Sequence, residues 1–319
     1  MDYKPSHRGV ADSSSVLKLN DLMDRYERNL ECLKELQIIR KAMLDGTYDN
    51  SLHRVVNASE ALTTMIGCSL PPPSNGYDNK ELLDIYVKHI DVAIEGLKES
   101  IVSIIETLYK AFCEWLKDQF LVLNRYRIKL QKYRAEYVVN KSVIGSKDTF
   151  DKIELFTYAY NDWDTLVKAA KNLSVILSKI KADDVNGWVN SNLQKINEYL
   201  GEFGASIEGG SFKRGSVKYE RTNKRLSDLR WRSDNFQVYF DMAIDLLKEA
   251  IEDQNTEKIV KTAYATARKE AAESGDNKAK DELKMVLDLF RFHRNNVAGV
   301  ARVLAVIYET AKNNKGEKK

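Results

Sequence analysis

The stretch AIEGLKESIVSIIETLYKAFCEWLKDQFLVLNRYRIKLQKYRAEY, residues 93–137, has no proline and one glycine, and an apolar residue returns at every third or fourth position. Tyr86, Ile90, Ala93, Leu97, Ile101, Ile104, Leu108, Phe112 and Trp115 set the register, in an eleven-residue repeat. Eleven residues make close to three helical turns, so the row stays on one side without left-handed supercoiling. The spacing predicts one very long helix, with a fold-back near Asn124 or Asn140 as the alternative. A straight helix of about 60 residues would be ~90 Å long, which favours an extended bundle over a compact globule.

The two halves of this stretch differ in chemistry. Ile101, Ile104, Ile105, Leu108, Phe112, Trp115, Leu116 and Phe120 form a broad apolar stripe. Such a stripe buries against other helices. A seat on a membrane surface is the other reading, and Glu99, Glu106, Glu114 and Asp118 weigh against it on anionic lipid. From Asn124 to Lys141 the helix carries Arg125, Arg127, Lys129, Lys132, Arg134 and Lys141, with Tyr126, Tyr133 and Tyr137 among them.

Outward from this helix the chain reads as all-α. All four prolines fall at or before Pro73, so nothing later forces a helix to break. A helix follows Ser13–Ser15 and ends at Gly46, and a second covers about Leu52 to Ile66. The run GCSLPPPSNGYDN then marks the main boundary. After Gly145 come DWDTLVKAAKNLSVILSKI, capped by Asn161/Asp162, and VNGWVNSNLQKINEYL. The glycine-rich GEFGASIEGGSFKRGS reads as a flexible loop. A basic helix VKYERTNKRLSDLRWR, an amphipathic one FQVYFDMAIDLLKEAI and a polar, alanine-rich one over Thr256–Glu273 complete the middle of the chain. The resulting division is 1–70 helical, 71–80 linker, 81–200 long-helix bundle, 201–217 loop and 218–319 helical.

The last helix keeps a seven-residue spacing through Leu283, Phe290, Val297, Leu304 and Ala311, joined by Leu287, Ala301 and Tyr308. Arg294 takes the equivalent place in the second heptad, beside His293. This is a coiled-coil-like seam with one polar layer. Leu283, Leu287, Phe290, Val297, Ala301, Leu304 and Tyr308 are the expected self-association seam.

Composition narrows the function classes. Fifty Lys and Arg against 47 Asp and Glu leave a formal charge of +3, so contact with nucleic acid has to come from a local patch. Cys32, Cys68 and Cys113 are odd in number and lack CxxC spacing, which suits free, buried thiols in a reducing compartment. The first residues lack the apolar core of a secretory signal, and no apolar run reaches membrane-span length, so no integral membrane segment is expected.

Catalytic and metal chemistry find little footing. GSFKRGS, Gly210 to Ser216, has the four-residue gap of a phosphate loop but no lysine after the second glycine and no preceding strand, and reads as a hinge. His7, His53, His89 and His293 match neither metal-ligand spacing nor a nucleophile's partner. Asp183–Asp184 and Asp148/Asp151 read as helix-end carboxylates. The expectation is a non-enzymatic chain with no cofactor and no metal. The basic segments carry more. Residues 212–232 hold Lys213, Arg214, Lys218, Arg221, Lys224, Arg225, Arg230 and Arg232 against Glu220 and Asp228. With Lys218, Arg221, Lys224 and Arg225 on one helical face, and with Arg125, Arg127, Lys129, Lys132 and Arg134 on the long helix, they form a candidate phosphate-binding set. The plain alternative is a solvated face, or partners for acidic helices in the bundle.

The order of these features, with a capped first helix, a short helix ending ASEALTTMIGCSL, the long helix GLKESIVSIIETLYKAFCEWLKDQF and a terminal seam, resembles the internal head proteins of large tailed bacteriophages. That resemblance implies a helical virion structural protein, made in the host cytoplasm and held inside the capsid. It also implies other virion or capsid proteins as partners and maturation cleavage after glutamate, with Glu60 and Glu208 as the matching positions. The expected function is therefore a structural protein that self-associates, as a homo-oligomer, and touches packaged double-stranded DNA without reading sequence. A membrane-surface or cytoskeletal helical scaffold is the alternative, and an enzyme built from scattered helices is the third reading.

Overall fold

The computed structural model describes residues 14–67, 70, 80–141, 149–156, 163–181, 184–214, 219–225, 236–273 and 278–316. The described chain is predominantly α-helical: α1 (Ser14–Leu44), α2 (Asn50–Ala58), α3 (Glu60–Ile66), α4 (Lys80–Val139), α5 (Trp163–Leu177), α6 (Val185–Gly201), α7 (Phe236–Glu252), α8 (Asn255–Glu273) and α9 (Lys278–Gly316). Four strands accompany the helices: β1 (Thr149–Phe156), β2 (Ala205–Glu208), β3 (Ser211–Arg214) and β4 (Tyr219–Arg225). The all-α expectation holds, and α4 is a single helix of 60 residues with no fold-back at Asn124.

The chain divides into two compact units, Leu17–Ala111 with Tyr264–Lys280, and Phe112–Ala263 with Asp281–Lys319. The division falls inside α4 and α8 and not at the proline-rich stretch 71–80, so the expected main boundary is corrected. The physical reason is packing across that stretch: α1 binds the first half of α4. Asn29 Nδ2 donates to Ser100 Oγ at 3.0 Å, and Arg40 forms an ion pair with Asp91. Apolar rows meet beneath these contacts, with Leu22, Tyr26, Leu30, Leu33 and Leu36 buried on α1 and Ile90, Leu97, Ile101, Ile104 and Leu108 buried on α4. Tyr264 of α8 stacks on Tyr109 with centroids 4.9 Å apart, and Arg268 reaches Glu106 at 3.0 Å.

The short helix expected over Leu52–Ile66 is two helices. Asp49 caps α2 by accepting from the N–H groups of Ser51 and Leu52. Ser59 then leaves the helical conformation, and its hydroxyl caps α3 by accepting from Leu62 N at 3.3 Å. A serine whose oxygen can satisfy a free N–H favours such a restart over an interior helical position.

In the other unit α9 runs through the core. Leu283, Leu287, Phe290, Val297, Ala301, Leu304, Tyr308 and Ala311 are all buried, and so are Val286, Leu289, Val300, Val303 and Ile307 on its other sides. A helix apolar around most of its girth has to be surrounded. Its neighbours are identifiable from ring contacts: Tyr308 stacks on Tyr133 of α4 at 4.6 Å and meets Phe240 of α7 edge-on at 5.5 Å, while Phe292 meets Phe203 and Phe212. Packing of α5 on α6 and α7 fills out this unit.

Two antiparallel ribbons replace segments expected to be loop or helix. β2 and β3 form a hairpin with Glu208 opposite Ser211. Gly209 and Gly210 fill its two-residue turn at φ 56° and 77°. Positive φ at both positions matches the twist of the flanking strands, and glycine takes it without cost. Asn197 of α6 clamps the hairpin, donating to Ile207 O at 3.0 Å and accepting from Ile207 N at 2.7 Å. The expected flexible loop is thus an ordered hairpin. β4 pairs with β1, Phe156 opposite Tyr219 and Thr149 opposite Arg225.

Candidate functional site

The predicted basic positions fall into two groups that the fold treats differently. Lys213 lies exposed on β3, Arg214 ends that strand, and Arg221, Lys224 and Arg225 sit on β4. The basic-helix reading of this segment is corrected, and with it the shared face, because a strand does not gather residues at three- and four-residue spacing. Pairing with β1, some 70 residues earlier, overrides the local pattern. Lys218, Arg230 and Arg232 lie outside the described residues. Asp151 is in β1, not at a helix end. Asp184 does cap α6, accepting from Gly187 N at 3.0 Å.

On α4 two of the predicted cations are engaged by acidic residues of neighbouring helices. Lys129 pairs with Glu309 of α9 and Arg134 with Asp241 of α7. Glu136 accepts from Lys312 at 2.8 Å, which holds its carboxyl below the usual range. Tyr133 donates to Glu309, and burial together with that bond raises its pKa. Tyr308 donates to Glu136 at 3.3 Å, and burial foremost pushes its pKa up to about 12. Tyr133, Tyr137, Lys129 and Arg134 therefore fasten α4 to α7 and α9. Arg125 and Lys132 remain on the exposed side of the helix.

The middle of α9 carries the chain's most unusual buried chemistry. Its Arg291–Asn296 segment puts five polar side chains in a helix otherwise wrapped in apolar contacts. His293 Nε2 lies 2.8 Å from Ser174 Oγ and 3.3 Å from Ala170 O. A carbonyl only accepts, so Nε2 carries the hydrogen. Burial first, and Arg294 next, lower the imidazole pKa to about 4, so the ring is neutral. Arg294 donates to Ala250 O at 2.9 Å and reaches Asp253 at 3.5 Å. Asp253 also accepts from Asn255 N at 2.9 Å and from the Thr256 hydroxyl, so one carboxylate neutralises a buried cation and starts α8.

A groove of about 780 Å³ opens above this ion pair, between α4 and the α7–α8 corner. Cys113, Leu116, Phe120, Leu121 and Ile251 give it an apolar floor, and Lys117, Lys258, Lys261 and Glu257 stand at its sides. The apolar stripe read from the sequence is buried from Ile101 to Trp115, but Leu116 is only half-covered and Phe120 is exposed. Leu121 and Ile128 are 53% and 56% exposed. Nothing in the eleven-residue repeat pointed to these outward residues, because it traces the face that the fold buries.

The expected self-association seam is filled by the chain's own helices, as described above, and is not offered to a second copy. Glu60 begins α3 and Glu208 closes β2, where it accepts from Ser206 Oγ at 2.9 Å. Cys32 and Cys113 are half-buried. Among the described residues no cluster of His, Cys, Asp and Glu could hold a metal ion, and no helix is long and apolar enough to cross a membrane. Compared with models of known protein families, with curated proteins and with solved structures, the chain matches none.

Proposed function

We propose that this chain is a non-enzymatic helical structural protein, working by contact with other macromolecules inside a phage head. The observation that carries the reading is the outer side of α4, where exposed Phe120, Leu121 and Ile128 lie beside exposed Arg125 and Lys132. Apolar side chains at that exposure, next to unburied cations, form a surface for a partner and not a floor for chemistry. The placement inside a virion comes from the order of sequence features and from nothing else. Packaged double-stranded DNA is the second partner in this reading, met through phosphates by Lys213, Arg221, Lys224 and Arg225 of the ribbons.

The test is direct. Full-length protein is titrated with duplex DNA at about 50 mM and about 250 mM salt, and phage particles are probed for the chain by mass spectrometry. Phosphate contact predicts binding that falls steeply with salt and is lost when Arg221, Lys224 and Arg225 become alanine. Absence of the chain from purified particles overturns the virion role. Salt-insensitive DNA binding, or none, overturns the phosphate contact.

A further inference from the structure

The outward side of α4 has a second periodicity. Leu121, Asn124, Ile128, Gln131, Ala135 and Val138 follow one another at steps of three and four, which is a heptad seam. Leu121, Ile128, Gln131, Ala135 and Val138 are exposed, and Asn124 is half-exposed. Leu123, Leu130 and Tyr137, on the opposite side, are buried. The helix therefore carries one stripe spent on its own core and another with no neighbour from the described chain laid along it. At its N-terminal end the outer stripe runs into the groove floored by Leu116, Phe120 and Leu121, so cleft and ridge make one continuous apolar track.

Charge decides what fits there. In the same heptad frame one flank of the seam carries exposed Arg125 and Lys132, the other carries half-buried Arg127 and Arg134, the latter already held by Asp241, and Lys117, Lys258 and Lys261 add cations at the groove. A parallel copy of α4 would set Arg127 against Lys132 of its mate. An antiparallel copy would also bring like charges together, so self-pairing is repelled in either direction. Asp253 and Glu257 are the carboxylates lining the groove, and Asp253 is already committed to Arg294.

Resting on the structural-protein reading, we propose that this track is a docking site for an amphipathic helix of another protein, apolar on one stripe and acidic along the flank that faces Arg125 and Lys132. The incoming helix lays its apolar row on Leu121, Ile128, Ala135 and Val138, seats its end in the groove, and sets its carboxylates against Arg125 and Lys132. This is helix-in-groove recognition, with the apolar row supplying affinity and the flanking charge selecting the partner.

The probe is a labelled synthetic helix of about four heptads with leucine at the seam and glutamate at both flanks, next to a twin with lysine at the flanks. Full-length protein should bind the glutamate peptide and not the lysine twin. Leu121→Ser with Ile128→Ser should weaken binding by roughly tenfold or more. Arg125→Glu with Lys132→Glu should move preference toward the lysine twin. Both pairs are exposed, so unchanged thermal unfolding is expected and separates loss of docking from loss of fold. Equal binding of both peptides, or binding indifferent to the serine pair, overturns the proposal. So does dimerisation of the free protein abolished by the serine pair, or capture of anionic vesicles that depends on the same residues. Particle mass spectrometry reads the virion role independently, so either idea can fail alone.

Discussion

His293 Nε2 and Ser174 Oγ stand 2.8 Å apart in the interior of their unit, joining the most buried stretch of α9 to α5. The ring is neutral there because water does not reach it, and a positive ring would also face Arg294. Asp253 is the carboxylate on the other side of that guanidinium, and it offsets the repulsion only in part. In the unfolded chain the same imidazole titrates near its ordinary value.

Stability should therefore depend on pH in a defined window. Between about pH 6.5 and about pH 4 the unfolded chain binds a proton that the folded chain refuses. The histidine's full contribution is present above about 6.5 and is lost as pH falls toward 4. The loss reaches about 3 kcal/mol, from a gap of between two and three pK units. Urea unfolding at a series of pH values measures it. His293→Gln should flatten that slope, and an unchanged slope would assign it to other groups.

Breaking the Arg294–Asp253 pair should cost different amounts from its two ends. Asp253→Ala strands a buried cation and removes the acceptor at the start of α8, at a cost of about 3 kcal/mol. Arg294→Met leaves a more exposed carboxylate that still caps the helix, and should cost less. Chemical denaturation of the two variants gives the order directly. The reverse order would show that the guanidinium's bond to Ala250 O outweighs its charge pairing.

The hairpin turn makes a sharper demand on residue type. Gly209→Asn is expected to be nearly neutral, since asparagine tolerates left-handed backbone, whereas Gly210→Val should cost about 1–2 kcal/mol. Nothing lies within 4 Å of where a Cβ would sit at either glycine, so the penalty is conformational and not steric crowding by neighbours. Amide hydrogen exchange at Ile207, whose N–H is held by Asn197, reports loss of the turn.

Tyrosine ionisation offers a check on α4–α9 packing. Tyr308 should ionise only near pH 12, and Tyr308→Phe should remove one late-titrating phenol from the ultraviolet titration curve. Glu136→Gln should lower that midpoint only partly, because burial is the larger cause and the carboxylate the smaller.

The helices were legible because their apolar periodicity is long and uninterrupted: α4 and α9 follow from spacing alone. What the sequence hid was decided by distant partners. Tyr219–Arg225 has helical charge spacing and becomes strand because Thr149–Phe156 pairs with it. Paired glycines at 209 and 210 look like slack in the chain, yet their positive φ angles build a tight turn. Proline-rich 71–80 looks like a border, but α1 packs across it onto α4. Of the candidate surface, the cations of α4 were visible, while those bound by Glu309 and Asp241 could be told from the free-facing ones only in three dimensions. The outer heptad of Leu121 and Ile128 was present in the sequence, overshadowed by the stronger repeat on the buried face.

The central position of α9 bears on biosynthesis. It follows every other element of its unit in the chain, yet it supplies the partners of Tyr133, Phe240, Phe203 and Ala170. While a ribosome is still making residues before Lys278, the sides of α4, α5 and α7 that α9 will cover stand open. Nascent chains stalled short of α9 therefore lack this unit's central helix and are a form exposed to chaperones and to aggregation.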